Sequence, residues 1–131
     1  MVIDTSALVA ILNDEPERRR FNEAIEADEV RLISAATLLE SSLVLESRRG
    51  EHGGRELDLF LHRAGFDVVP VDAEQVELAR RAFRAYGKGR HAASLNFGDC
   101  FSYALARLRA EPLLFKGLDF ARTDIGQVQL P

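Results

Sequence analysis

The sequence has 131 residues, 47% of them hydrophobic, and this length suits one domain that buries about two-thirds of its unfolded surface. The formal net charge is -4, from 17 basic and 21 acidic residues, so any affinity for nucleic acid has to come from a local basic patch. The single cysteine, Cys100, excludes an internal disulfide and a cysteine-rich metal site, which is typical of a protein of the reducing cytoplasm. We expect neither an export signal nor a membrane anchor, since uncharged stretches such as residues 32–39 are far too short to span a bilayer.

The first predicted strand leads directly to a carboxylate. Val2 and Ile3 are β-branched residues of a short buried strand, and Ser6 is expected to cap a helix over residues 7–12. Asp4 therefore falls at the carboxyl end of a strand, the edge of an open α/β sheet at which ligands bind. The alternative is that Asp4 only caps the helix through its short side chain.

A second carboxylate, Glu40, lies inside the third predicted helix. A helix over residues 16–27 and a strand over residues 30–33 come first, and Ser34 then caps a helix over residues 35–49. The helical projection surrounds Glu40 with an apolar stripe that consists of Ala36, Leu43 and Val44. A buried ionised carboxylate is costly unless it is paired or binds a metal, so Glu40 either meets an arginine from elsewhere or belongs to a site.

The middle of the chain continues the alternation of helix and strand. The pair Gly53-Gly54 is expected to break the chain before a helix over residues 55–64. A strand over residues 66–71 follows, and Asp72 is expected to cap a helix over residues 73–86.

Residues 78 to 98 form a local positive surface in an acidic protein. They contain no acidic residue and five cations, namely Arg80, Arg81, Arg84, Lys88 and Arg90. The glycines at the centre free the backbone, and Lys88, Arg90 and His91 are candidates to contact phosphates. The segment lacks the Lys-Ser or Lys-Thr of a nucleotide P-loop. The alternative is a solvated helix face followed by a flexible loop.

A third carboxylate, Asp99, lies at the start of the most regular predicted helix, residues 97–108. Its core-facing residues repeat at helical spacing and are Phe97, Cys100, Phe101, Ala104, Leu105 and Leu108. Asn96 is the expected cap, so Asp99 is the third helical residue, where a carboxylate interacts favourably with the helix dipole. Tyr103, one turn further on, either orients Asp99 or only anchors itself.

A fourth carboxylate, Asp119, again follows a predicted strand, residues 113–115, and a short strand is expected at residues 128–130. Strands and helices alternate along the whole chain, which favours a parallel sheet covered on both faces with right-handed crossovers. We therefore predict that residues 1–131 form one α/β domain, a three-layer α/β/α sandwich with a central parallel sheet of about four to five strands.

The four carboxylates are placed where they can converge at one end of this sheet. A close pair of carboxylates repels by about 4 kcal/mol at an intermediate dielectric, so such a site either takes up protons or recruits a cation. Oxygen ligands select Mg²⁺ or Mn²⁺ over zinc. The set therefore predicts metal-assisted hydrolysis of a phosphodiester.

At these residues the sequence resembles the PIN-domain ribonucleases, in particular the VapC-type toxins of toxin-antitoxin pairs. The segments that look like family motifs follow the family's order and are residues 2–8, Glu40 in its helix, residues 96–104, residues 117–120 and residues 123–125. Each motif alone is weak, but together they are specific, and they span nearly the whole chain. Leu118 departs from the pattern, because relatives often carry a polar residue there.

The resemblance implies a PIN-like fold and a metal-dependent endoribonuclease toxin that is inhibited by a cognate VapB-type antitoxin and forms a homodimer. By similarity, the residues that hold Mg²⁺, or alternatively Mn²⁺, are Asp4, Glu40, Asp99 and Asp119. Ser6 and Asn96 are expected to orient these ligands without contacting the metal ion themselves. Lys88, Arg90 and His91 are the candidate RNA contacts, and the part played by Asp124 stays open.

Two other functions compete with this one. An aspartyl phosphatase also begins with an Asp after its first strand, but it usually has a second Asp two residues on, where this chain has Ser6. A catalytically inert PIN-like module would use the carboxylates only to hold the fold or to bind a partner's arginines. His52 and His62 lack ligand spacing, so we expect no metal there. Cys100 is expected to be a buried small hydrophobe and not a nucleophile.

Overall fold

Four short parallel strands form the centre of the protein in the computed structural model, which describes residues 1–131. The strands are β1 (Val2–Ile3), β2 (Leu32–Ser34), β3 (Asp67–Val69) and β4 (Leu113–Leu114). Their order in the sheet is β3-β2-β1-β4, and every pairing is parallel. The predicted parallel sheet is confirmed, and β1 lies inside it, with Val2 paired to Leu32 on one side and to Leu113 on the other.

Six helices surround the sheet. They are α1 (Thr5–Leu12), α2 (Arg18–Ala27), α3 (Ala35–Arg49), α4 (Glu51–Arg63), α5 (Ala73–Tyr86) and α6 (Phe97–Arg109), and a 3₁₀ turn follows at Phe120–Arg122. The predicted caps Ser34, Asp72 and Asn96 each accept a hydrogen bond from a backbone N–H in the first turn. No helix of the protein has the length and apolar character that crossing a membrane requires.

The helices divide between the two faces of the sheet because neighbouring strand residues point in opposite directions. Ile3 and Leu114 belong to an apolar cluster that includes residues of α1, α2, α3 and α4. Val2 and Leu113 belong to a second cluster, built from α5, α6 and the segment around Phe120. The predicted three-layer α/β/α architecture is therefore confirmed.

The expected cap of the first helix is wrong by two residues. α1 begins at Thr5, and its cap is Asp4, whose carboxylate accepts a hydrogen bond from the N–H of Ser6. Asp4 has the extended backbone of a capping residue, so the chain passes from strand to helix without a spacer. Asp4 is thus both a helix cap and a residue at the carboxyl edge of the sheet.

The expected break at Gly53-Gly54 is also wrong, since both glycines lie inside α4. A Cβ atom at Gly53 would approach the carbonyl oxygen of Leu45 in α3 to 2.6 Å. The glycine permits α3 and α4 to pack with their backbones close together. The chain turns instead at Gly50, which has the positive φ of 63° that favours glycine.

Two further predictions fail at the surface. Residues 128–130 form no strand, although Val128 donates a backbone hydrogen bond to Leu113 at 3.1 Å. Phe97, expected in the core, is 80% exposed, because its side chain points away from the rest of the fold at the start of α6. Helical periodicity identified an apolar stripe but not the length over which that stripe is covered.

Candidate active site at the carboxyl edge of the sheet

Asp4 is buried at the end of β1 and is only 2% exposed. Its Oδ2 accepts hydrogen bonds from the N–H and the hydroxyl of Ser6, at 3.0 and 2.7 Å. Its Oδ1 accepts a hydrogen bond from the hydroxyl of Ser102 at 2.6 Å. All of these donors are neutral, so dipoles solvate the carboxylate while no cation compensates its charge.

Ser6 and Ser102 tie three parts of the chain to Asp4. The hydroxyl of Ser6 also accepts the N–H of Lys116, just after β4, at 3.0 Å. Ser102 lies on α6, is fully buried, and has its hydroxyl 3.2 Å from that of Thr37 on α3. Sequence reasoning included Ser6 but missed a role for Ser102. The available signal was a serine in a helix that is otherwise apolar on its core side.

Glu40 is half-buried on α3 and faces the start of α6. The hydroxyl of Thr5 donates to its Oε1 at 2.5 Å. A Cβ atom at Gly98 would overlap the Glu40 carboxylate, so the glycine makes room for it. The predicted apolar stripe around Glu40 was only partly right, because Leu43 is 56% exposed. The alternative, in which an arginine from elsewhere pairs with Glu40, is not observed. Burial raises the pKa of Glu40, the bond from Thr5 opposes this, and the charge of Asp4 adds to it.

Asp99 lies at the third position of α6 and forms a reciprocal capping box with Asn96. The N–H of Asn96 donates to Asp99 Oδ2 at 3.0 Å, and the N–H of Asp99 donates to Asn96 Oδ1 at 2.9 Å. Burial raises the pKa of Asp99 to about 7, against the lowering effect of the Asn96 bond. The negative charges of Asp4, Asp119 and Glu40 raise the pKa of Asp99 further, so these three carboxylates lie near enough to Asp99 to repel its charge.

Asp119 joins this group from an exposed position at the start of the 3₁₀ turn. Its side chain makes no capping hydrogen bond, and its carboxylate interacts with Asp99 only by charge repulsion. The backbone around it is better held. Phe120 is buried at 2% exposure, and the hydroxyl of Thr123 donates to the Phe120 carbonyl at 2.7 Å.

Asp124 is the partner of Tyr103. The Tyr103 hydroxyl donates to Asp124 Oδ1 at 2.5 Å, and the guanidinium of Arg107 donates to Asp124 Oδ2. Partial burial acts to raise the pKa of Asp124, but the Tyr103 bond and the Arg107 charge hold it below its usual value. Of the two roles considered for Tyr103, orienting Asp99 is therefore not the one observed.

We refer to Asp4, Glu40, Asp99 and Asp119 as the acidic cluster. None of the four forms a salt bridge, whereas twelve ion pairs occur elsewhere in the protein. No three of the His, Cys, Asp and Glu side chains stand close enough together to enclose an ion unaided. Mg²⁺ usually keeps several waters and takes only one or two carboxylates as protein ligands. A group of carboxylates that has only oxygen donors and no basic side chain beside it therefore fits such an ion.

The loop over residues 87–91, which we call the basic loop, contains none of the carboxylates of the acidic cluster. Lys88, Arg90 and His91 are all exposed, and none of them forms a salt bridge. The Arg90 guanidinium lies 5.4 Å from the ring centre of Phe83. The loop is joined to the 3₁₀ turn after Asp119, because Arg122 donates to the Ala92 carbonyl at 3.1 Å. The loop thus borders the segment that carries Asp119.

Cys100 follows Asp99 but points into the core. The thiol is buried, and burial raises its pKa to about 11, with the charge of Asp99 adding to the effect. A thiol that stays protonated at neutral pH is a poor nucleophile. The structure therefore agrees with the prediction that Cys100 is a small core residue.

Comparison of the sequence with known proteins identifies a family and several relatives. A model of the PIN domain family matches residues 1–126. The chain is 63% identical over 131 residues to ribonuclease VapC30 of Mycobacterium tuberculosis, with both proteins covered in full. It is 60% identical over 128 residues to a ribonuclease VapC of Mycolicibacterium smegmatis, covering 98% of this chain and 99% of the relative.

Solved structures show the same fold at low sequence identity. VapC20 of M. tuberculosis, described as a toxin that cleaves the sarcin-ricin loop, superposes with a TM-score of 0.80 at 18% identity and covers 99% and 98% of the two chains. A chain of a toxin-antitoxin complex from Klebsiella pneumoniae superposes with a TM-score of 0.70 at 21% identity and covers 94% and 92%.

Proposed function

The chain belongs to the PIN-domain family, and from this membership we propose that it is an endoribonuclease, the toxin of a VapBC toxin-antitoxin pair. Residues 1–131 act as one domain. The observation that carries the proposal is the acidic cluster. Glu40 contacts Thr5 and Gly98, the chain neighbours of Asp4 and Asp99, and the charge of Asp119 acts on Asp99, while none of the four carboxylates forms a salt bridge. Full-length relatives at 63% and 60% identity that are named ribonucleases support the same activity.

We assign Mg²⁺, with Mn²⁺ as a substitute, to the acidic cluster. The oxygen-only donors and the raised pKa values of Glu40 and Asp99 support a site that gains from a divalent cation. When bound, such an ion supplies Lewis acidity toward an RNA phosphodiester.

The chain's own contribution is to fix the donors. Ser6 and Ser102 orient both oxygens of Asp4, and Thr5 holds one oxygen of Glu40. Asn96 holds Asp99 through the capping box. Preorganised ligands lose little freedom when cation and substrate arrive, which is how such a site lowers the barrier to phosphodiester hydrolysis.

The basic loop is proposed to receive the RNA backbone. Lys88, Arg90 and His91 are exposed, free of ion pairs, and joined through Arg122 to the segment of Asp119. Phosphate contacts position a nucleic acid without selecting its sequence. Replacing Lys88 and Arg90 by alanine should therefore weaken RNA binding and flatten its salt dependence, a change that filter binding at several salt concentrations measures.

A VapB-type antitoxin is the proposed inhibitor, in line with the structural likeness to a chain of a toxin-antitoxin complex. An inserted arginine of the partner would satisfy the uncompensated carboxylates and block the site. A homodimer is proposed as well. Its support is the exposure of three large apolar residues, Leu39 and Leu43 on α3 at 60 and 56% and Phe97 at the start of α6 at 80%.

The test is cleavage of RNA by purified protein after treatment with EDTA. Activity should be absent in EDTA and should return on adding Mg²⁺ or Mn²⁺. Cleavage that persists in EDTA, or a covalent phosphoryl-enzyme at Asp4, would contradict the proposal. An inert PIN-like module is not favoured, since relatives at high identity over the full length are named ribonucleases.

A further inference from the structure

Asp119 is the member of the acidic cluster that the protein holds least directly. Asp4, Glu40 and Asp99 each accept a hydrogen bond from a neighbouring side chain or backbone group. The Asp119 side chain is exposed and has no capping bond. Its position therefore depends on how firmly the following turn is attached to the rest of the protein.

That attachment runs through Asp124. Tyr103 is 6% exposed on α6, and its hydroxyl donates to Asp124. Arg107, one turn further along α6, donates to the second oxygen of Asp124 and to the Tyr103 hydroxyl. The same helix carries Asp99 four residues before Tyr103. The contact thus fixes the segment of Asp119 to the helix of Asp99.

A direct role for Asp124 in holding a cation is disfavoured by its bonds. Both carboxylate oxygens are already engaged, one by a phenol and one by a guanidinium. The guanidinium also brings a positive charge to the place that a metal ion would need. Asp124 is therefore placed to hold the chain and not the ion.

We propose that Tyr103, Arg107 and Asp124 form a positioning network that sets Asp119 relative to Asp99 and thereby sets the affinity of the acidic cluster for a divalent cation. This inference rests on the proposed function only for the identity of the cation. Groups that orient metal ligands from outside typically change metal affinity or activity by about 10- to 100-fold when removed. We expect the lower end of that range, because Asp119 is one of four carboxylates.

The experiment is a calorimetric titration of Mn²⁺ into EDTA-treated protein without RNA. Asp124→Asn and Tyr103→Phe should each weaken Mn²⁺ binding about 10-fold while circular dichroism remains that of the folded protein. Asp14→Asn is the matched control, since Asp14 is also exposed and pairs with an arginine, Arg18, but has no bond to α6 or to the segment of Asp119. The control should bind Mn²⁺ as the unchanged protein does.

A double variant that also lacks the Asp119 carboxylate distinguishes positioning of Asp119 from a general loss of order. If Asp124 acts through Asp119, adding Asp124→Asn to Asp119→Ala should cause no further loss of Mn²⁺ affinity. A further 10-fold loss there, or unchanged affinity in both single variants, would overturn the proposal, as would a chain that binds no Mn²⁺ at all. RNA cleavage that stays metal-dependent while Asp124→Asn binds Mn²⁺ normally would remove this inference and leave the proposed function standing.

Discussion

Asp99 of the acidic cluster and Tyr103, which donates to Asp124, lie one turn apart on α6. The surroundings of the acidic cluster and of Asp124 nevertheless act on negative charge in opposite ways. Asp124 is paired with Arg107 and accepts the Tyr103 hydroxyl, and its pKa is lowered against the effect of burial. Asp99 has only a backbone donor, and burial together with three other carboxylates raises its pKa to about 7. A carboxylate with a cationic partner stabilises the fold, whereas a group of carboxylates without one stores repulsion that a ligand can relieve.

The other partly buried acids of the protein follow the pattern of Asp124. Asp28 and Glu111 both bind the amino group of Met1, at 2.9 and 2.8 Å. Burial acts to raise the pKa of Asp28, but the bond and charge of that amino group lower it overall. The absence of a cation beside the acidic cluster is therefore particular to this edge of the sheet.

The largest effect is expected when the cluster loses one charge. Asp99→Asn keeps the capping bond to Asn96 but removes one of the carboxylates proposed to hold the cation. RNA cleavage should therefore fall by about a thousand-fold, the scale of losing a group that stabilises transition-state charge. The metal-free variant should melt at the same temperature as the unchanged protein or higher, because repulsion is relieved. Initial rates and thermal melting in EDTA measure the two effects. A variant that retains activity would remove Asp99 from the site.

Gly98→Ala tests the space that the cluster requires. The added methyl group must displace the Glu40 carboxylate, so activity should fall by about 10-fold or more. The fold should tolerate the change, since alanine favours a helix by about 0.5–1 kcal/mol over glycine. Gly54→Ala is the matched control, because Gly54 is also helical and also faces a glutamate, Glu46. Equal RNA cleavage by both variants would show that the Glu40 carboxylate does not need the space at Gly98.

Asp99 and Asp124 should also give the metal-free protein opposite responses to pH. The folded pKa of Asp99, about 7, lies above the ordinary 3.8, so the folded state holds the extra proton and the free energy of unfolding falls as pH rises between these values. Asp124 has a lowered pKa, so its contribution is present above 3.8 and is lost only as pH falls below that value. Urea unfolding from pH 4 to 8 measures the slope, which Asp99→Asn should reduce. A slope that this variant leaves unchanged would contradict the assignment.

The smallest effect is expected for the stability of Asp124→Asn. Loss of the Arg107 ion pair and weakening of the Tyr103 bond should cost about 1 kcal/mol, since both charged side chains are roughly half exposed. Thermal melting should show a decrease of a few degrees. The sign is the reverse of that expected for Asp99→Asn, and equal signs for the two variants would break the contrast between the two carboxylates.

The order of elements and the positions of the four carboxylates were predictable because they depend on local signals. Caps, apolar periodicity and strand ends placed Asp4, Asp99 and Asp119 at the correct boundaries. The hydrogen bond of Ser102 to Asp4 spans 98 residues, and no local pattern encodes it. The Tyr103 bond to Asp124 likewise depends on how the last segment returns to α6.

Two of the failed predictions share one cause, which is that a local signal has more than one structural use. Two adjacent glycines indicate either the end of a helix or a place where two helix backbones pack closely. At Gly53 the second applies, because α4 packs there against Leu45 of α3. An apolar residue on a helical stripe is buried only where another element covers it, and Phe97 is left uncovered. Tertiary packing settles both cases, and the sequence window around each residue does not contain that information.

Anomalous scattering from a crystal grown with Mn²⁺ shows directly whether the acidic cluster holds the cation. A peak is expected within bonding distance of carboxylate oxygens of the acidic cluster, Asp4 and Asp99 foremost, and it should be lost in Asp99→Asn. No peak at the cluster in a protein that still needs Mn²⁺ to cleave RNA, or a peak at another site, would contradict the claim that these carboxylates are left unpaired in order to hold the cation.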